Sequence, residues 1–350
     1  MTRSIALSLI ACLAACAAEP AASAPDPASS LSRPRPVAPA PASPAPAAAA
    51  PTCGLESRPL AREAPGRLVA IGDVHGDLRA TRAALRLAGA IDAQDRWVGG
   101  ALGVVQLGDI LDRGNDEQAI IDLFERLETQ AAAAGGTFTW LLGNHELMNA
   151  AGDFRYVTDG GWRDFSDAPE VDLARLDRPE LAAALARAPA HMRARLAAFG
   201  PGGTYARILA GQDVVVQIGD TVFSHAGVLP GHDDALPGGN RDARCWLQGA
   251  GAMPEVAVDD EGPVWTRVWG HGAADCALLG AVLDSIGARR MVVAHTPQLQ
   301  GITSDCDGRL WRIDTGMSRA YGGPVQVLEL TAGDGGVRVL RGAKGDRHGG

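Results

Sequence analysis

Three short stretches place an acidic or amide residue directly behind a glycine: Gly72-Asp73-Val74-His75-Gly76, Gly108-Asp109-Ile110-Leu111-Asp112-Arg113-Gly114 and Gly143-Asn144-His145-Glu146. Two more place a histidine among small residues, Ser224-His225-Ala226-Gly227 and Ala294-His295-Thr296. Carboxylates and imidazoles bind first-row divalent cations, and one carboxylate can bridge two such ions about 3.5–4 Å apart. Asp73 and His75 are two residues apart, close enough for both to reach one ion from a tight loop. Each leading glycine lets the chain turn sharply without a Cβ clash and aims the next side chain into a crevice. One motif of this kind is a weak signal. Five in a single chain have the residue types of a dinuclear hydrolytic site.

Such motifs must be delivered to one place, and each follows a run that reads as a strand: 68–71, 104–107, 137–142, 221–224 and 291–294. Between them lie helical patterns, one capped by Asp77, others at 118–134 and 273–286. Strand-helix-strand-helix-strand order is the mark of an α/β domain with parallel pairing, and open α/β sheets bind ligands at the carboxyl ends of their strands. A hairpin through Gly219-Asp220 joins 214–218 to 221–224, and further strands run to about residue 340. Residues 171–199, rich in Ala, Leu and Arg, read as a helical insertion covering one edge of the site.

The order of these motifs resembles the calcineurin-like metallophosphoesterases of the phosphoprotein phosphatase type. Glu146 after His145 is similar to protein phosphatases rather than to diadenosine tetraphosphatases, which carry aspartate there. Leu147-Met148-Asn149, Asp153-Phe154-Arg155-Tyr156-Val157 and the segment 314–323 (DTGMSRAYGG) narrow the resemblance to the Shewanella-like branch, over residues 67–330. The resemblance implies an αββα sandwich, two mixed β-sheets flanked by helices. It implies a hydrolase of phosphoric esters that uses two divalent ions (Mn, Fe or Zn) and in-line attack by a hydroxide shared between them. On matching positions, Asp73 and His75 would hold the first ion, Asp109 would bridge, and Asn144, His225 and His295 would hold the second. His145 would be the general acid, oriented by Asp112, and Arg113 would grip phosphate oxygens. A second phosphate-binding arginine falls in a divergent region, where Arg267 is the candidate. The implied substrates are phosphoserine, phosphothreonine or phosphotyrosine in a protein or peptide. Small nucleotides or other soluble phosphate esters are the alternative, and a non-catalytic binding lipoprotein is the reading outside enzymology.

The rest of the chain sets the context. Of its 350 residues, 46% are apolar and 21% charged, as in a globular protein with a full core. A net charge of −9 argues against nucleic-acid binding by phosphate neutralisation, which needs a basic face, so no nucleic-acid partner is expected, although a local basic patch is compatible with that total. Residues 1–15 read as an export signal, with Arg3 before a short apolar stretch, and Leu13-Ala14-Ala15-Cys16 resembles a lipobox that acylates Cys16. Cys12 would leave a shorter apolar region, and an ordinary secretory signal is the alternative. Ala17 in place of aspartate points to the outer membrane or periplasm. Residues 16–60, largely Ala, Pro and Ser up to about residue 51, read as a tether, 61–340 as the catalytic domain with its insertion at about 166–200, and 341–350 as a tail. Cys53, Cys245, Cys276 and Cys306 allow two disulfides in three pairings.

Overall fold

The computed structural model describes residues 53–56, 58–167, 179–233, 236–332 and 336–342. The export signal, Cys16 and the tether before Cys53 lie outside the described residues. In chain order the strands are β1 (Ala61–Arg62), β2 (Arg67–Ile71), β3 (Gly103–Gln106), β4 (Thr137–Trp140), β5 (Val215–Ile218), β6 (Thr221–Ser224), β7 (Arg290–Val293), β8 (Thr303–Asp305), β9 (Leu310–Arg312), β10 (Gln326–Thr331) and β11 (Val337–Arg341). The helices are α1 (Leu78–Leu87), α2 (Glu117–Ala133), α3 (Asn144–Ala151), α4 (Asp159–Asp164), α5 (Pro179–Arg187), α6 (Ala190–Phe199), α7 (Thr204–Leu209), α8 (Leu236–Leu247) and α9 (Cys276–Ile286).

The strands form two mixed sheets. One has the order β11-β10-β2-β3-β4 and the other β1-β5-β6-β7-β9-β8. Within them β2, β3 and β4 run parallel, as do β6, β7 and β9, so all their carboxyl ends are at one edge. Leu68, Ala70, Val105, Leu107, Phe223 and Val292 pack together in one apolar cluster, and their neighbours Val69, Ile71, Val104, Val222 and Met291 join a second with helical residues such as Leu85 and Phe124. Strands buried on both faces read as unbroken apolar runs, which is why they are visible in the sequence. Each buried Leu, Val or Phe contributes roughly 1.5–3 kcal/mol relative to leaving it exposed.

Local chemistry starts α1 where the sequence places it: Asp77 has an extended backbone and its carboxylate accepts the Ala80 amide at 2.9 Å. Elsewhere tertiary packing overrides local signals. α8 forms across Pro237-Gly238-Gly239, a stretch with weak helix propensity, and buries Leu236, Trp246 and Leu247. The end of the expected tether is part of the domain. Cys53 is bonded to Cys245, Arg241 donates to the Leu55 carbonyl at 2.8 Å, and β1 pairs with β5. The other disulfide, Cys276–Cys306, ties α9 to the turn between β8 and β9. No helix among the described residues is long and apolar enough to cross a membrane.

Candidate metal centre

The loops after β2, β3, β4, β6 and β7 meet at one edge and are sewn together by their backbones. The His75 amide donates to the Asp109 carbonyl at 2.9 Å, Gly76 to Ile110 at 2.7 Å, and Ala294 to His225 at 2.7 Å. Glu146, in the first turn of α3, accepts four amides: Gly143 at 2.7 Å, Asp109 and Ile110 at 2.9 Å, and Leu111 at 3.1 Å. One carboxylate therefore fixes the whole Asp109 loop against the Asn144 helix. That close approach leaves no room for a side chain at Gly108, where φ is 89° and a Cβ would lie 2.4 Å from the Gly143 nitrogen. Gly108→Ala is expected to lower unfolding stability in chemical denaturation by about 1–3 kcal/mol, the cost of holding a side chain in such a conformation.

The structure brings all six sequence-derived ligands together, and all are buried. Asp109 is the hub. Its Oδ1 lies 3.3 Å from His225 Nε2, and its Oδ2 lies 3.7 Å from His75 Nε2. His75 Nδ1 sits 3.0 Å from the Leu111 carbonyl and His225 Nδ1 2.7 Å from the Leu107 carbonyl. An Nδ1–H donated to a carbonyl leaves Nε2 as a lone pair aimed inward. His295 is reversed, with Nε2 3.1 Å from the Trp265 carbonyl and Nδ1 turned inward. Two acceptor-type contacts result: His225 Nε2 lies 3.2 Å from His295 Nδ1 and 3.0 Å from Asn144 Oδ1.

Lone pairs facing lone pairs inside a protein call for a cation, as does the buried Asp73 Oδ2, which has no hydrogen-bond partner. His75, Asp109 and His145 form one metal-capable set and Asp109, His225 and His295 another, sharing Asp109. Asp73 Oδ2 reaches within 3.9 Å of His75 Nε2 in the first. Burial holds His75 down to about 4 and His295 down to about 2, so both are neutral donors at pH 7. Burial also opposes charge on His225, but Asp109 beside it outweighs that and raises its pKa, so a positive charge, proton or metal, is favoured between them. Burial and the facing Asp314 raise Asp73 well above the usual carboxylate range. Asp314 itself is pushed by burial to about 6. This carboxylate follows β9 as the candidate ligands follow their strands, and sequence reading gave it no role.

His145 Nδ1 contacts Asp112 Oδ2 at 2.5 Å, and its Nε2 is 3.8 Å from Asp109. Burial opposes charge on this imidazole, but Asp109 and Asp112 outweigh it and raise its pKa above the ordinary value. Arg113 projects between two tyrosine rings, its guanidinium carbon 4.3 Å from the centre of Tyr156 and 5.3 Å from that of Tyr321. Those rings also stand 5.1 Å from His145 and 5.5 Å from His75. Tyr156 is 38% exposed and forms one wall of the site, and Tyr321 lines the other side. Arg113 Nε is buried with no partner. Arg267 is exposed and reaches Thr296 Oγ1 at 3.3 Å, beside His295. Of the eight described non-glycine residues with positive φ, five are His75, Asp109, Asp112, Arg113 and His295. Backbone strain is concentrated where the site needs its side chains aimed.

Comparison with known proteins agrees with this geometry. Residues 66–185 match the calcineurin-like phosphoesterase family. The chain is 39% identical to Shewanella-like protein phosphatase 2 of Arabidopsis thaliana over 306 residues, covering 79% of this chain and 78% of that protein. It is 27% identical to Shewanella-like protein phosphatase 1 of Plasmodium berghei, covering 74% and 70%. The crystal structure of the cold-active protein-tyrosine phosphatase of a psychrophilic Shewanella species superposes with a TM-score of 0.64 at 23% identity, covering 82% of this chain and 83% of that one, and shares the fold. The chain belongs to the calcineurin-like metallophosphoesterases, in their Shewanella-like protein phosphatase branch. It is a hydrolase of phosphoric esters in a family that works with two divalent cations.

Proposed function

We propose that the protein is a phosphomonoesterase of the protein phosphatase kind, acting on phosphorylated side chains. The observation that carries this reading is Arg113, a guanidinium with an unpartnered buried Nε, clamped between Tyr156 and Tyr321 above the ligand cluster. A planar fork held in that way binds two oxygens of a terminal phosphoryl group. Asp73, His75, Asp109, Asn144, His225 and His295 hold the two cations in this reading. Divalent ions (Mn, Fe or Zn) held there would supply Lewis acidity, making a water nucleophilic near neutral pH and offsetting charge on the phosphoryl group.

The chain's own groups supply the remainder. Arg113 orients the phosphoryl group, with Arg267 closing on it from the His295 side. His145, whose pKa Asp109 and Asp112 raise, donates its Nε2 proton to the departing oxygen. Turnover of phosphopeptides against mononucleotides and dinucleotides, with manganese present, tests the substrate class. Faster hydrolysis of phosphopeptides supports the reading, and a preference for nucleotides replaces it with the small-ester alternative.

We also propose that the enzyme is exported and lipid-anchored at Cys16, with the Ala/Pro/Ser-rich stretch holding the domain away from the outer membrane. The lipobox-like sequence supports this, as do two disulfides in a chain with only six cysteines, since such bonds persist in oxidising compartments. Cys16→Ser is expected to move the protein from the membrane fraction to the soluble fraction. Continued membrane association after the substitution would defeat the anchor.

A further inference from the structure

The helical insertion, expected to shape access to the site, also sends one side chain beneath it. Arg195 on α6 is fully buried, and its guanidinium lies 5.1 Å from the ring centres of both Phe165 and Phe199. Its Nε donates to Asn149 Oδ1 at 2.8 Å and its Nη1 to the Gly161 carbonyl at 3.0 Å. Nη1 also holds Glu117 Oε2, while Nη2 reaches Glu117 Oε1 at 2.9 Å and Asp112 Oδ1 at 3.4 Å. Every polar edge of the guanidinium is thus occupied, and three of its partners belong to one cluster around Asp112.

Asp112 is held at three points. Its Oδ2 faces His145; its Oδ1 accepts from Asn149 Nδ2 at 3.1 Å and from Arg195. Its backbone amide donates to Glu117, which Arg195 grips from the other side. We propose that Arg195 is a positioning residue for the proton-donating pair: brought in by the insertion, it fixes the Asp112 carboxylate and, through it, the direction in which His145 Nε2 points. This rests on the reading above in which His145 protonates the leaving oxygen.

Charge counting supports the assignment. Asp112 and Glu117 are fully buried carboxylates, and two such charges with no compensating cation are costly. Arg195 offsets one of them and leaves Asp112 Oδ2 facing His145 Nδ1. Burial raises Glu117 above its ordinary range and Arg195 opposes that rise, as expected of a cation neutralising it. A salt bridge serving the fold alone has no need to touch the oxygen opposite a catalytic histidine, nor to share Asn149 with it.

The test uses leaving groups. A general acid matters most when the departing alcohol is a poor leaving group, and least for p-nitrophenolate, which departs without a proton. A series of substituted phenyl phosphates, assayed with the manganese-loaded full chain, reads this as the slope of log kcat against leaving-group pKa. Arg195→Met is expected to lower kcat for phenyl phosphate ~10- to 100-fold and for p-nitrophenyl phosphate less than about threefold, with KM within about threefold. Metal content is expected to remain that of the wild type. Arg195→Lys, which keeps charge but loses the fork, and Asn149→Ala, which removes one donor from Asp112, are expected to steepen the slope in the same direction by less. A uniform fall across the series, an unchanged slope, loss of metal, or loss of the fold in all three variants would overturn the proposal. Wild-type protein inert toward the whole series would overturn the phosphomonoesterase reading, and this one with it.

Discussion

Replacing His145 by asparagine lowers kcat ~10²–10⁴-fold, equivalent to about 3–5 kcal/mol of transition-state stabilisation, and leaves metal content unchanged. Asparagine can still donate from its amide to Asp112 Oδ2, the partner that His145 Nδ1 contacts at 2.5 Å, so the first turn of α3 keeps its packing. What disappears is the proton on Nε2. Nearby Asp109 gives His145 a second possible role, because its ring nitrogen lies in the metal-capable set with His75. Metal analysis separates the two roles. A fall in bound metal would make His145 a ligand; unchanged metal with collapsed turnover makes it the acid. The loss is expected to be largest for substrates with poor leaving groups.

Asp109→Asn is expected to lower metal affinity by more than the ~10–100-fold that follows removal of an outer partner of a ligand, because it alters the shared ligand itself. Both Asp109 oxygens are engaged: Oδ1 faces His225 and accepts the His145 amide at 3.1 Å, while Oδ2 faces His75. An amide group turns an N–H toward one of these histidines, whose inward lone pair accepts it and is then not free for a cation, and the negative charge of the shared ligand is lost. Neither cation then finds its full set. Thermal unfolding with and without added manganese reports this directly, since a ligand that binds only the folded state raises Tm through its binding free energy. The wild type is expected to gain several degrees and the variant little. A variant with a full metal-induced shift would show that Asp109 is not the bridge.

The parts of this site that were legible in the sequence share a physical cause. Strands β2, β3, β6 and β7 are buried on both faces and so read as apolar runs, and each ends in a turn that carries a candidate ligand. Asp77 was readable as a cap because capping is decided within three residues. What was hidden depends on distant partners. Arg195 sits among Ala, Arg and Leu in α6, a pattern like that of a solvent-facing helix, and only Asp112 and Glu117 some eighty positions earlier reveal its place. The place of Tyr156 in the wall of the site was hidden too, because its partner Arg113 lies far away in sequence. Four cysteines gave three pairings, and folding selected Cys53–Cys245 and Cys276–Cys306. Asp314 carried the same signal as the candidate ligand positions, a carboxylate after a strand, and its effect on Asp73 emerged only from their proximity.

If six buried side chains from five strand ends hold the two cations that phosphate-ester hydrolysis requires, metal stoichiometry and turnover of p-nitrophenyl phosphate rise together as chelated protein is titrated with manganese. Turnover is expected to be negligible in the metal-free protein and to reach a plateau at about two ions per chain. Undiminished turnover in the metal-free protein, or saturation at a single ion, would contradict the two-ion site.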